Sequence, residues 1–311
     1  MEFKHISVLL EESIKLLEIK PDGIYADGTL GGGGHSSLIC SALSKNGRLI
    51  GIDRDRNALA AAGERLSAFD CKKDLCHDNF FNIKNILDKV GVQSLDGAIL
   101  DLGVSSPQLD VAERGFSYNM CARLDMRMDQ SAELDAYTVV NTYDESRLAD
   151  IIFSYGEEKF ARKIARAICD RRANEPIETT TELSDIIKSA FPRSARYADK
   201  HPAKRTFQAI RIEVNSELDG LSEAVTDFAM SLKPGGRLAV ITFHSLEDRI
   251  VKNAFSELAK GCTCPKEFPV CVCNNSPKVK LVNKKPIIAN QNELNENNRA
   301  HSAKLRVIEK L

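Results

Sequence analysis

The chain has 311 residues, 43% of them hydrophobic and 28% charged, with a formal net charge of −1. This is the composition of an ordinary soluble globular protein, and no apolar run approaches the ~20 residues a helical bilayer span requires. The start of the chain carries no apolar signal core, and nine cysteines, five of them scattered singly, point to reduced thiols and a cytoplasmic location.

In chain order, Gly23 to Asp27 predicts a strand and Ser36 to Leu43 a helix, with Ser36 or Ser37 near its cap. Arg48 to Asp53 is a second strand and Asn57 to Leu66 a second helix. A weak strand near Cys76 precedes a helix around Ile83 to Val90, and Asp96 to Leu102 is the fourth strand. Strands separated by helices of this length predict a parallel, doubly wound sheet. From about Gly115 to Arg205 no strand pattern survives. Leu148, Ile151, Ile152 and Tyr155, then Phe160, Ile164 and Ile168, then Leu183, Ile186, Ile187 and Ala190 mark three helices. Ile210 to Leu232 traces one long helix face, bent at Gly220. Lys233-Pro-Gly-Gly236 is a turn, Arg237 to Phe243 a strand, and Ser245 to Lys260 a helix with Ser245 and Asp248 at capping-box spacing. Strands near Lys278 to Val282 and Lys304 to Ile308 close the chain, with a polar loop from Asn290 to Asn298 between them. The expected architecture is α/β and Rossmann-like over residues 1–112 and 206–311, interrupted by an all-helical domain over 113–205.

The densest chemical signal is Asp27-Gly-Thr-Leu-Gly-Gly-Gly-Gly-His-Ser36, a strand ending in an acid, then a Gly-rich loop, then a helix. Glycines allow a tight turn and close approach to a ligand. The dinucleotide pattern Gly-x-Gly-x-x-Gly is not met, since Ser36 or Ser37 stands at the third position, and no Gly-Lys-Ser/Thr follows for a P-loop. An acid at Asp27 suits a ligand carrying an ammonium and a sulfonium, as in S-adenosylmethionine, better than a pyrophosphate. Asp53 ends the second strand, 25 positions after Gly28, where an acid takes ribose hydroxyls. It could instead cap the turn Asp53 to Asn57, and the loop upstream favours the ribose.

Asp101-Leu-Gly-Val-Ser-Ser-Pro-Gln108 follows the fourth strand and faces the ligand crevice. Hydroxyls and a carbonyl in a Pro-stiffened loop at Ser105, Ser106 and Pro107 could orient an exocyclic amine, whose lone pair is delocalised into its ring. Phe80 could stack on an adenine, and His244 could contact substrate or pack beside a helix cap. Cys262-x-Cys264 and Cys271-x-Cys273 could hold zinc, but the pairs are tighter than the usual Cys-x-x-Cys, and methyl transfer from a sulfonium needs no metal, so no metal is assigned. Basic charge concentrates in the helical region. Lys159 to Arg205 holds twelve Lys/Arg and six Asp/Glu, a local excess of +6 that includes Arg162, Lys163, Arg166, Arg171, Arg172, Arg193, Arg196, Lys200, Lys204 and Arg205. Lys278, Lys280, Lys284 and Lys285 add a further patch. Such patches supply phosphate contacts to nucleic acid, or solvate a helix face.

Several long motifs then coincide. Asp27 to Ser36, Gly51-Ile-Asp-Arg-Asp55, Asp101 to Asp110, Arg114-Gly-Phe-Ser117, Leu124-Asp-Met-Arg-Met-Asp129, Lys204 to Ala209, Phe243 to Arg249 and Ser302 to Arg306 together resemble the bacterial ribosomal RNA small subunit methyltransferase H family, nearly end to end. The pattern departs at Cys121 to Leu124, where the family usually has a proline before the leucine. The resemblance implies a class I S-adenosylmethionine-dependent methyltransferase fold and N4-methylation of a cytidine in 16S rRNA, near the P site of the small ribosomal subunit. It implies cofactor contacts from Gly33, Gly34, His35, Asp53, Phe80, Asp101 and Gln108, and a helical insertion that helps grip RNA. The expected partner is 16S rRNA in the small ribosomal subunit, with no membrane, for a chain that is a monomer or a homodimer.

Overall fold

The structure, a computed structural model, describes residues 7–192, 201–265, 270, 272–273 and 275–311, with backbone alone at Ser106, Pro107 and Asn298. It divides into two compact units, one of residues 1–103 and 220–311, the other of residues 104–219.

The first unit is built on seven strands: β1 (Ile24–Asp27), β2 (Arg48–Asp53), β3 (Lys72–His77), β4 (Leu95–Asp101), β5 (Leu232–Thr242), β6 (Val279–Leu281) and β7 (Lys304–Lys310). Their order is β3-β2-β1-β4-β5-β7-β6. The first five are parallel, β7 runs antiparallel to β5, and β6 antiparallel to β7. Central β4 is buried along almost its whole length, as a strand covered on both faces must be, whereas edge strand β3 carries Lys72, Lys73 and Asp74. The strand order reverses between β1 and β4, and a doubly wound sheet opens its ligand crevice at the carboxyl ends beside that switch. This is the expected Rossmann-like fold, completed by a reversed last strand.

Four local readings change. The helix after β1 begins at Gly34, not Ser36, because Gly33 takes the left-handed conformation at its cap (φ 76°) and Ser36 turns its hydroxyl elsewhere. Lys233 to Gly236 is not a turn ahead of the strand but lies within it. It is a bulge within β5: β4 advances from Leu95 to Gly97 while β5 advances from Leu232 to Arg237, and Gly235 supplies the positive φ. The capping box of helix Ser245–Leu258 is His244 with Glu247. Asp248 instead accepts Lys304 Nζ (2.9 Å) and Arg306 Nε (2.7 Å) from β7. The face from Ile210 to Leu232 is two helices, Ala203–Asn215 and Leu221–Met230, separated where Ser216 and Gly220 take positive φ.

The second unit is helical: Ala136–Thr142, Glu145–Gly156, Ala161–Arg172, Thr180–Ala190 and Ala203–Asn215, with a short helix at Ser106–Asp110. Its core includes Leu148, Ile152, Ile164, Ile168, Leu183, Ile187, Phe207 and Ile210. Phe207, Ile210 and Val214 bury into that core, so the unit extends to Asp219 instead of ending at Arg205; at its start it reaches back to Val104. Among the described residues no helix is long and apolar enough to cross a membrane.

Asn215 locks the irregular part of this unit. Its Nδ2 donates to the carbonyls of Met126 (2.7 Å) and Arg211 (2.9 Å), and its Oδ1 accepts from Met128 N (2.7 Å). Those bonds hold Met126 at φ 60°, an unfavourable angle for a non-glycine residue. Asn215→Ala leaves buried polar groups without partners and is expected to destabilise the protein by about 2–3 kcal/mol. Urea denaturation followed by circular dichroism measures it, and a midpoint equal to wild type would remove Asn215 from this role.

Candidate active site

Three strand ends of the first unit carry acids, Asp27 on β1, Asp53 on β2 and Asp101 on β4, and the chain organises backbone and hydroxyl donors around them. Asp27 Oδ1 accepts Thr29 N (3.1 Å) and its Oδ2 accepts Ser36 Oγ (2.7 Å), tying the strand end to the helix beyond the Gly-rich loop. Asp53 Oδ2 accepts Gly31 N (2.7 Å) and its Oδ1 accepts Asp55 N (2.8 Å). Each Asp53 oxygen has two lone-pair sites, so a further donor such as a sugar hydroxyl can still be accepted. Thr29 joins the first and fourth strands, because its Oγ1 accepts Asp101 N at 2.5 Å.

Asp27 is buried, and Asp53 and Asp101 are half-buried. Burial pushes the Asp27 carboxyl up to about 6 against its hydrogen bonds from Ser36 and Thr29, with Asp53 adding repulsion. Burial also raises Asp53, and it drives Asp101 well above the usual carboxylate range, helped by the negative charges of Asp27 and Glu247. Asp101 Oδ1 is buried with no hydrogen-bond partner among the described residues, while the side chain as a whole keeps 25% of its surface exposed. No Lys or Arg ion pair among the described residues reaches Asp27, Asp53 or Asp101. His35 Nδ1 lies 3.7 Å from Asp101 Oδ2. His35 Nε2 donates to Val8 O (3.2 Å), which places its proton there, since a carbonyl can only accept. A buried anion without a partner is costly, and the cost falls when a cation arrives.

The Gly-rich loop is only partly open to a ligand. A side chain at Gly34 would meet Ser7 Oγ at 1.9 Å, and one at Gly33, besides the strained φ, would meet Ala62 Cβ at 3.3 Å. These two glycines answer to the protein's own packing. Gly31 and Gly32 are open, with nothing closer than Thr29 O at 3.9 Å and Arg65 Nη1 at 4.0 Å. Phe80 is half-buried in the turn after β3. Its Cβ would lie 3.2 Å from a side chain at Gly28, and its ring packs edge-on to Phe81 with centroids 4.7 Å apart. Asp53 and Asp101 thus end strands of the first unit, Gly33 caps the helix after β1 with Gly34 and His35 in its first turn, and Phe80 opens the short 3-10 turn after β3.

Ser105, Ser106, Pro107 and Gln108 belong to the second unit. The expected loop is helical from Ser106, and buried Gln108 turns its Oε1 back to accept Ser105 N (3.0 Å). His244 is a helix cap: its Nδ1 accepts Glu247 N (3.4 Å). Its Nε2 lies 3.0 Å from Glu247 Oε1 without the alignment of a hydrogen bond. Sequence reasoning missed Thr29, Ser36 and Glu247. Glu247 stands at cap-plus-three after His244, so the spacing rule could have found it, but histidine is an uncommon cap and the serine beside it drew the assignment.

Of the basic residues, Arg162, Lys163, Arg166, Lys204 and Arg205 are exposed. Arg166 pairs with Glu145 (3.5 Å), and Arg205 donates to Glu157 O (3.0 Å). Arg172 is structural, donating to the carbonyls of Val140 and Tyr143 at the end of helix Ala136–Thr142. Arg193, Arg196, Lys200 and Cys271 lie outside the described residues.

The family described as the MraW methylase family matches residues 2–311. Relatives named ribosomal RNA small subunit methyltransferase H align over all 311 residues of this chain: 54% identical in Clostridioides difficile (strain 630), 55% in Brevibacillus brevis and 56% in Clostridium botulinum (strain Kyoto / Type A2). The alignments cover 100%, 99% and 100% of those proteins.

Because burial raises Asp27 in the folded state, the folded protein holds that proton to higher pH than the unfolded chain. The folded state therefore loses stability as pH rises from about 4 to about 6, where the buried group ionises. Asp27→Asn removes that penalty. The variant is expected to gain up to about 3 kcal/mol over wild type at pH 8 without ligand, and nothing below pH 4. Urea melts at the two pH values measure the difference, and a gain independent of pH would contradict the burial argument.

Proposed function

We propose that this chain, which belongs to the MraW methylase family, transfers a methyl group from S-adenosylmethionine to the N4 amine of a cytidine in 16S rRNA, near the P site of the small ribosomal subunit. The observation that carries the reading is the buried Oδ1 of Asp101, which has no hydrogen-bond partner among the described residues, at a strand end next to buried Asp27, with half-buried Asp53 one strand further on. A ligand with an ammonium, a sulfonium and ribose hydroxyls satisfies all three together. A nicotinamide dinucleotide would set its pyrophosphate against the same acids, which disfavours that alternative.

In this reading Asp53 accepts the ribose hydroxyls, and Phe80 gives a ring face to the adenine. The backbone of Gly33, Gly34 and His35 closes around the amino-acid end, and Asp27 and Asp101 balance its positive charge. Gln108 completes the cofactor contacts. S-adenosylmethionine supplies an electrophilic methyl group. Ser105, Ser106 and Pro107, which follow β4 by a few residues, accept the amine's N–H bonds and turn its lone pair toward that methyl. The cytosine must leave its stack to reach them. The new N–C bond forms as the S–C bond breaks, the sulfur keeps the electron pair, and the extra proton on nitrogen passes to water. The second unit grips RNA through its exposed basic residues.

Nucleoside mass spectrometry of 16S rRNA from cells with and without the gene tests the chemistry. One N4-methylcytidine should vanish in the deletion and return with wild type. Loss of a C5- or N3-methylated nucleoside instead would refute the N4 assignment. Asp53→Ala should weaken S-adenosylmethionine binding by about tenfold to a hundredfold in calorimetry, the worth of one or two hydrogen bonds to a charged group. Unchanged affinity would remove Asp53 from the ribose.

Arg162→Ala combined with Lys163→Ala and Lys204→Ala should weaken binding to 30S subunits and flatten its dependence on salt, reducing the log–log slope by about 2. S-adenosylmethionine affinity should stay as in wild type. An unchanged salt slope would show that these residues do not meet phosphate.

A further inference from the structure

The loop between helix Ser245–Leu258 and β6 has its own side-chain cluster, used by neither the fold of the sheet nor the proposed chemistry. Its two ends are latched together. Lys278 N donates to Leu258 O (2.8 Å), and Asn275 Nδ2 donates to the carbonyls of Lys260 (3.1 Å) and Gly261 (2.8 Å). Beyond that latch the chain runs out through Cys262 and returns through Cys273, and of its described apolar side chains Val270 and Val272 remain 70% and 66% exposed. Short segments with little buried apolar surface are commonly held by a cross-link or a metal.

The thiols of Cys262, Cys264 and Cys273 converge there, with all three sulfurs within 4.8 Å of one another. Cys262 Sγ and Cys273 Sγ are 3.7 Å apart. That is nearly twice a disulfide bond of about 2.05 Å. It matches the roughly 3.8 Å that separates two thiolates on one tetrahedral zinc at about 2.3 Å each. Two backbone amides also point at the sulfurs: Thr263 N donates to Cys273 Sγ (3.3 Å) and Val272 N to Cys264 Sγ (3.2 Å). Amide bonds to sulfur favour the thiolate that a soft metal requires and fix the orientation of ligands around such an ion. The tight Cys-x-Cys spacing argued against a metal from sequence, but the fold brings sulfurs from the outgoing and returning limbs together, and that convergence sets the geometry.

We propose that Cys262, Cys264 and Cys273 form a structural site for a thiophilic d10 cation, zinc foremost, that staples this loop. Binding replaces the thiol protons by metal–sulfur bonds, releases those protons to solvent and involves no change of oxidation state. Cys271 lies outside the described residues and is not counted in the site.

The test uses the full-length protein, purified anaerobically with reductant and dialysed against buffered Zn²⁺. Elemental mass spectrometry should find one zinc per chain, and Co²⁺ in its place should show the thiolate-to-cobalt charge-transfer band of a multi-sulfur site. Cys262→Ser with Cys264→Ser and Cys273→Ser should lose both, while S-adenosylmethionine affinity and the circular dichroism spectrum stay as in wild type. Should that variant not fold, alkylation of the wild type decides. Zn²⁺ should slow iodoacetamide modification at these three cysteines at least tenfold, read by peptide mass, and leave Cys121 unaffected. Absence of retained zinc, cobalt without the sulfur band, or equal alkylation with and without Zn²⁺ would each overturn the proposal.

Discussion

Poorly solvated carboxylates with no Lys or Arg partner among the described residues are the constraint around which the first unit is arranged. A doubly wound sheet naturally ends its parallel strands in loops, and polar residues there usually reach water or a basic neighbour. Here Asp27 and Asp101 end adjacent strands, with Glu247 close enough to raise Asp101 further. Nearly every donor supplied to them is a neutral amide or hydroxyl: Thr29 N and Ser36 Oγ on Asp27, and none on Asp101 Oδ1. Neutral donors orient a carboxylate and soften its burial but do not cancel its charge. The remainder stays available to a cation, and at low dielectric that attraction is far stronger than the same contact in water.

Much of this was legible because it is local in sequence. Asp27 before a glycine run and Asp53 ending the next strand are readable from strand-loop-helix order alone, since the fold converts adjacency in the chain into adjacency at the sheet edge. The errors arose where the deciding partner is remote or the turn chemistry ambiguous. Ser36 looks like a cap until Asp27, nine residues earlier, is seen to take its hydroxyl. Lys233 to Gly236 reads as a turn because no single-strand pattern reveals that the neighbouring strand continues past it. The run from Ile210 to Leu232 keeps one apolar period across two helices that face different cores, and only Ser216 and Gly220 mark the break. Three cysteine sulfurs on two chain limbs were read by spacing, which describes one limb at a time.

The second unit separates two meanings of an arginine. Arg172 and Arg114 donate to main-chain carbonyls, Val140 and Tyr143 for the first and Arg127 and Met128 for the second. Arg127 itself forms a two-pronged pair with Asp125 (2.7 and 3.0 Å) and reaches Ala132 O (2.8 Å). The stretch Leu124 to Asp129, which carried much of the family resemblance, therefore builds an internal scaffold around Met126 and Asn215. Guanidinium suits that work because its fork satisfies several carbonyls at once. Charge counted along the sequence overstates what is free to meet a phosphate, and the exposed residues Arg162 and Lys163 carry more of that meaning than the total does.

The glycine run makes the same distinction within one loop. If Gly33 and Gly34 existed only to let a ligand approach, the free loop could collapse without them touching anything. Instead Ala62 and Ser7 already occupy the space their side chains would need, and Gly33 must hold a positive φ to start the following helix. Asp53 binds Gly31 N and Thr29 binds Asp101 N from the other side. The loop is thus pinned by packing and by hydrogen bonds before any ligand arrives. Because its ordering is already met by the protein's own folding energy, a ligand that fits the three acids need not supply it, and the binding energy they offer can go to holding and orienting the ligand.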